Sequence, residues 1–242
     1  VSLLPMEFNF NAYKSILSDK NIWIGYGNTV FYSFVGTALS MALTMLGGYS
    51  LSKTRLRGRK FLMIMVTVTM WFGAGTMPTF LNYKELGLLD KRLGLLLCGA
   101  ISSFNVILMR TYFESIPNEI EESAKIDGAS DFCTFWKIYT PLSMAALLTI
   151  TLYYFVGRWN SYLWASILLK DESKIPLQVI LQKYVVEMNQ VLENGANIDY
   201  TTTSRETFTY AIMVIATLPM LVIYPFIQKF FVKGVMVGAV KG

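Results

Sequence analysis

Histidine is absent from the 242-residue sequence, so neither a histidine-based metal site nor a Ser-His-Asp triad can be assembled from it. The phosphate-cradling pattern G-x-x-x-x-G-K-[ST] is missing too, which excludes ATP binding through a P-loop in this chain. Charged residues are scarce at 15%, and the acids among them are scattered, with no pair standing out as a glycosidase constellation. Cysteine occurs only as Cys98 and Cys133, one in an apolar block and one in a polar loop, so no disulfide is expected.

What the chain has is apolar length. Hydrophobic residues make up 54% of it and mean hydropathy is +0.45, too apolar for an ordinary soluble domain of this size. Five blocks each approach the roughly 20 residues a helix needs to cross a bilayer about 30 Å thick. They predict spans over Thr29 to Leu51, Phe61 to Leu81, Leu93 to Phe113, Leu142 to Leu169 and Phe208 to Phe231. A transmembrane barrel would need an apolar–polar alternation of period two, which the blocks lack. A soluble protein with buried helices would need amphipathic helices around them, and the connections are short and few.

Five of the 21 basic residues crowd between the first two blocks as Lys53, Arg55, Arg57, Arg59 and Lys60. Cytoplasmic loops carry excess Lys and Arg, so the cluster reads as a topology signal and not as a nucleic-acid face. With Ser52 to Lys60 cytoplasmic, the alternation places 114–141 and the C-terminal tail 229–242 on the same side, and 170–205 with the N-terminal segment 1–27 outside. An outside N-terminus with no basic and apolar leader implies an upstream spanning helix or processing by a signal peptidase.

The segment Glu114 to Pro141 is polar enough to leave the membrane but patterned as two short helices. Pro117 suits a helix start and Gly128 a left-handed helix end. Ser130 and Asp131 then supply an N-cap and a first-turn acid. Phe132, Phe135, Trp136 and Tyr139 follow i, i+3, i+4, i+7 spacing and predict one aromatic stripe packed under the bundle. Ile120, Ala124 and Asp127 share a face of the first helix, and the small residues Ser123, Ala124, Gly128 and Ala129 would let another backbone approach, so the loop reads as a docking knob.

Glu122-Ser123-Ala124, then Ile126-Asp127-Gly128-Ala129, then Ile138 and Pro141 resemble the EAA motif of ABC importer permeases. Ser123 stands where that family usually has Ala, and Thr140 where Leu precedes the Pro. Leu56-Arg57-Gly58-Arg59, Gly157-Arg158-Trp159-Asn160 and the tail from Gln228 through Lys233-Gly234-Val235 and Gly238 to Gly242 are similar to the carbohydrate branch, which includes MalG-like permeases. The stretches Arg110 to Pro117 and Pro176-Leu177-Gln178 pull it towards the LplC/YtcP-like oligosaccharide permeases.

The resemblance implies an all-α polytopic bundle of the type I importer kind and a single permease domain over 1–242. Its usual first span, of six, is the one not seen. It further implies a coupling loop in which Glu122, Ser123, Ala124, Ile126, Asp127, Gly128 and Ala129 seat in a cytoplasmic ATPase, with tail contacts from Lys233, Gly234, Val235 and Gly238. The implied partners are a homologous second permease, two ATPase subunits that bind ATP and Mg, an extracytoplasmic solute-binding protein and a carbohydrate, in a bacterial cell membrane. No cofactor and no enzymatic activity are expected of this chain.

Sugars are bound by aromatic faces and by amide, hydroxyl and guanidinium groups, and the fourth block supplies Tyr153, Tyr154, Arg158, Trp159, Asn160 and Trp164. An intramembrane Arg faces a cavity or a partner by default, which makes Arg158 the first pathway candidate. Trp71, beside Phe72, Gly73, Gly75 and Pro78, marks an expected break that could line the same pathway. The alternatives are a permease for a polyol, glycerol phosphate or peptide, and, from other classes, a secondary transporter or a membrane-embedded enzyme. Inverted repeats or clustered acids would mark the latter two, and neither is found.

Overall fold

The structure, a computed structural model, describes residues 10–193, 207 and 209–222, and the secondary structure among these residues is helical throughout. A short helix α1 (Asn11–Ser18) leads into α2 (Lys20–Ser52), whose N-cap Asp19 accepts from the Asn21 amide. At 33 residues α2 is about 50 Å long. It begins at Lys20, so part of the predicted outer segment 1–27 continues the helix. Bulky apolar side chains on α2 face outwards, Trp23 at 60% and Phe34 at 61% exposure, while Thr29, Ser33, Gly36, Thr37, Ser40, Thr44 and Gly48 are buried. That inside-out pattern suits lipid, where helices associate through small and hydroxylated residues.

The second, third and fourth predicted spans are interrupted. The second consists of α3 (Arg59–Trp71) and α4 (Thr76–Glu85), bent by 117° at the expected break. Gly75 there has φ 82° and ψ 170°, a conformation essentially reserved for glycine. The third is not one helix over 93–113. It splits into α5 (Arg92–Leu97) and α6 (Ser103–Glu114), with Gly99 at φ 65° and Ser102 capping α6. Cys98 consequently sits in a break and not within a span.

Beyond α6 come α7 (Asn118–Ile126), α8 (Asp131–Thr134), a π-helical turn Phe135–Tyr139, α9 (Thr140–Leu142) and α10 (Met144–Trp159). Pro141 has no N–H to give to the Lys137 carbonyl, and the Thr140 hydroxyl donates to the Phe135 carbonyl at 2.9 Å, so the turn widens here. The widening divides the predicted aromatic stripe. Phe135 and Tyr139 are buried against Tyr49 and Phe113, whereas Phe132 and Trp136 are exposed. The arm Asp131–Leu142 meets α10 at 83°, and α10 itself ends at Asn160, before α11 (Leu163–Leu168), so the fourth predicted span is also broken.

The expected outer loop 170–205 carries a 3-10 turn (Glu172–Lys174) and a helix, α12 (Leu177–Glu193), whose first turns pack on the early part of α2. The last described helix, α13 (Thr209–Val222), covers part of the fifth predicted span. The remainder of that span and the tail residues Lys233, Gly234, Val235 and Gly238 lie outside the described residues.

Two cores are strung along α2. One joins Ile16, Ile22 and Tyr32 to Leu95, Ala165, Leu177, Ile180 and Ile212; the other joins Met41 and Met45 to Met109, Phe113, Tyr139, Leu147 and Ile150. In the second core α2 meets α6 so closely that a Cβ on Gly48 would stand 3.0 Å from Met109 and 3.1 Å from the Arg110 amide, while one on Gly47 would meet only Val106 at 3.8 Å. Gly48→Val is therefore expected to destabilise the solubilised protein by about 1–3 kcal/mol through overpacking, and Gly47→Val to change it little. Unfolding midpoints of both variants check this.

Candidate functional site

The first short helix of 114–141 ends at Gly128 as expected, in a Schellman motif. Gly128, at φ 80°, donates its amide to the Lys125 carbonyl, and the Ala129 amide reaches the Ala124 carbonyl at 2.9 Å. Ala124 is buried; Glu122, Ser123, Asp127 and Gly128 are exposed, and Ile126 stands 86% exposed at the tip. Ser123, Ala124 and Asp127 line a groove of about 430 Å³ with Glu119, Ile120 and Ile138. A Cβ on Gly128 would meet nothing within 4 Å. The cost of replacing it is one of backbone conformation and of whatever seats against it.

What attaches α7 to the bundle was not anticipated. Glu121, buried beside the expected Glu122, accepts from Lys53 Nζ at 2.5 Å, Lys125 Nζ at 2.7 Å and Tyr139 Oη at 2.8 Å, with Arg55 at 3.7 Å. The Lys53 ammonium also lies over the rings of Tyr139 and Tyr49, at 3.6 Å and 4.3 Å. Burial pushes the Glu121 carboxyl up, but hydrogen bonds from Lys125, Lys53 and Tyr139 together outweigh it and hold it at about 2. Lys53 is drawn below its ordinary range, chiefly by burial, its bond to Glu121 compensating only partly. Three donors converge on the carboxylate, so its depression decides the charge state of the pair near neutrality.

Arg55 pairs with Asp131 at 2.5 Å, and Arg59 and Arg110 both pair with Glu114. The basic cluster read as a topology signal is thus also the counter-charge of the acids at 114–131. The sequence holds a signal for this: Glu121 lies three residues from Ala124 and four from Lys125, on the inward face of the same helix.

At the middle of the bundle the break between α5 and α6 opens a cleft of about 330 Å³, lined by Cys98, Gly99, Ser102, Asn105, Tyr153, Tyr154, Gly157, Arg158, Ser161 and Trp164. Four of the seven candidate pathway residues, Tyr153, Tyr154, Arg158 and Trp164, meet here. The other three do not. Trp159 is buried, stacked on Phe155, with its indole N–H directed to the Ala216 carbonyl at 3.4 Å. Asn160 donates to the Val156 carbonyl at the end of α10, and Trp71 stands 77% exposed at the α3–α4 bend.

Arg158 is committed to protein. Its guanidinium donates to the Leu95 and Leu96 carbonyls at 2.8 and 2.9 Å and to Ser40 Oγ at 3.4 Å, closing the C-terminal end of α5. Tyr154 Oη accepts from the Ser102 amide at 3.0 Å and lies 2.7 Å from Thr44 Oγ1, closing the start of α6. Tyr153, Trp164, Ser161 and Asn105 add further polar and aromatic lining to the cleft. Asn105 and Ser102 escaped the sequence reading because nothing in their spacing marks a helix break as a cavity.

Interrupted helices, a central cleft and a helical knob ion-paired to one end are the features of a helical membrane permease. Residues 43–237 match the family described as the binding-protein-dependent transport system inner membrane component, and the chain belongs to that family. It is 43% identical to the Bacillus subtilis (strain 168) polygalacturonan/rhamnogalacturonan transport system permease protein YtcP, over 99% of this chain and 84% of that protein. It is 39% identical to protein LplC of the same organism, over 99% and 81%. A chain in the crystal structure of a bacterial ABC transporter involved in the import of the acidic polysaccharide alginate superposes with a TM-score of 0.87 and 46% identity, over 95% of this chain and 82% of that one.

Two outcomes follow from the site geometry. Arg158→Met leaves the Leu95 and Leu96 carbonyls without a donor and should destabilise the bundle by about 1–3 kcal/mol per orphaned group, whereas Arg158→Lys, which can satisfy one of them, should lose about half as much; unfolding in detergent measures both. For Glu121, the folded-state pKa lies below the ordinary value of 4.5, so its contribution is fully present above that value and is lost as pH falls towards 2. The stability difference between wild type and Glu121→Gln should therefore be flat above about pH 5 and shrink steadily below pH 4.5.

Proposed function

We propose that the chain is one of two homologous permease halves of an ATP-driven importer for oligosaccharides of an acidic polysaccharide. The knob at Gly128 carries this reading: a rigidly capped, exposed helix end, clamped by ion pairs to the basic loop that the charge rule places in the cytoplasm. Glu122, Ser123, Ala124, Ile126, Asp127, Gly128 and Ala129 form the surface for one of two cytoplasmic ATPases, which bind ATP and Mg; this chain holds no cofactor. Lys233, Gly234, Val235 and Gly238 extend that contact from a cytoplasmic C-terminus. On the outer side an extracytoplasmic binding protein delivers the solute.

The acidic substrate class rests on the relatives, since two proteins above 40% identity carry names or descriptions tied to uronate-bearing polymers. In this half the solute meets hydroxyl, amide and aromatic groups of the central cleft, while Arg158 stays with its carbonyls. Switching between inward-open and outward-open states follows closure of the ATPases on the knob.

The test is uptake by the complete transporter in proteoliposomes of labelled oligogalacturonates, alginate oligosaccharides, maltodextrins, glycerol phosphate and peptides. Acidic oligosaccharides should enter at least about tenfold faster, a coupling scale typical of specific sites; preferential uptake of a neutral sugar, polyol or peptide would replace the substrate class. At equal membrane abundance, Gly128→Val should lower uptake by a similar factor and weaken ATPase copurification, because a branched side chain at φ 80° strains the turn that the ATPase seats on.

A further inference from the structure

The ion-paired cluster around Glu121 does something the docking surface alone cannot. Among the nine residues of α7 only Glu121 and Ala124 are buried, and no close helix-to-helix packing joins α7 to the rest of the bundle. Besides the short chain links to α6 and α8 and the ion pairs of Asp131 and Glu114, a push on the knob reaches the bundle through one buried carboxylate of α7 itself. That carboxylate holds Lys53, the residue capping the end of α2, and Tyr139, in the π-helical turn that leads into α10.

From there α2 is continuous to the cleft. Tyr49, one turn back from Lys53, packs on Phe135 and Tyr139 at ring separations of 4.9 and 5.1 Å. Further along, Thr44 touches the Tyr154 hydroxyl that caps α6, and Ser40 touches the Arg158 guanidinium that caps α5. Both sides of the cleft are thus tied to the helix that Glu121 grips.

On the importer reading above, we propose that the Glu121–Lys53–Tyr139 clamp is the rigid joint through which displacement of the docking helix moves α2 and so reshapes the cleft, with Glu121 and Lys53 as positioning residues for coupling and not part of the ATPase-binding surface. The ATPase seats on the exposed side chains of the knob, Glu122, Ser123, Ile126 and Asp127, while Glu121 is buried beside Ala124 against the bundle. Losing the clamp leaves the knob able to bind but free to pivot, so ATP is consumed without moving α2. An apolar replacement of the pair removes the burden of two buried charges but supplies no directional tether, and it restores stability without restoring coupling.

The experiment uses the complete transporter in proteoliposomes with labelled oligogalacturonate and reads ATP hydrolysed per oligosaccharide taken up, ATPase copurification and unfolding midpoint. Glu121→Gln and Lys53→Met are expected to keep copurification while raising the ATP-to-solute ratio about tenfold. Lys53→Arg, which keeps the charge and the donor, should stay within about twofold of wild type. The double variant Lys53→Met/Glu121→Met should regain the wild-type midpoint and still show the raised ratio. If the double variant couples like wild type, the pair only neutralises buried charge and the clamp is overturned. Loss of copurification in Glu121→Gln would overturn it as well, by placing Glu121 in the docking surface. Should the wild-type transporter itself take up no oligosaccharide and bring down no ATPase, the importer reading fails first and the clamp with it, an outcome distinct from a transporting wild type whose variants keep its ratio.

Discussion

Hydrocarbon offers no hydrogen bonds, so a chain that breaks its helices inside a bilayer must close every break with its own side chains. The break between α5 and α6 and the turn before α12 are met in this way. Arg158 takes the last carbonyls of α5, Tyr154 and Ser102 serve the first amides of α6, and Thr29 accepts from the Leu177 amide where α12 begins. Asn28 and Tyr32 donate to the carbonyls of Ser173, Lys174 and Ile175, binding the neighbouring turn to the same helix. The tolerance of the bundle for a central cleft depends on these bonds, because a cleft is what remains when a helix stops short and its ends are satisfied sideways.

Most of those partners come from α2 or lean on it. The stripe of Gly36, Ser40, Thr44 and Gly48 brings backbones close and keeps hydroxyls available; at Gly36, a Cβ would stand 3.0 Å from Arg158 Nε. The same helix ends in Lys53, which carries it into the ion-paired network of the docking loop. One element therefore serves the outer connections, the cleft and the knob, and this economy is the basis for treating the permease as a lever with α2 as its rod.

Arg158 shows how a residue marked as special by its charge can serve the fold as well as border a cleft. Its cost in the membrane predicts a partner or a cavity, and it has both: it borders the cleft and spends its donors on protein carbonyls. Tyr153, Trp164, Ser161 and Asn105 line the same cleft. Trp159, conspicuous in sequence, proves to be packing for α13.

The sequence by itself determined the membrane class, the bend at Trp71 to Gly75, the capped knob ending at Gly128 and the importer family, because each is written in local composition, backbone chemistry or a short motif. Tertiary structure decided the rest: that the third and fourth spans are broken, that a helix starting at Leu177 packs its first turns on α2, that the aromatic stripe divides at the π turn, and that Glu121 meets Lys53 across 68 positions of chain. Apolar length cannot distinguish a continuous helix from two halves whose ends are satisfied by distant side chains. Pairing of charges far apart in sequence has no periodicity to betray it; it exists only once the fold has brought the end of α2 under the docking helix.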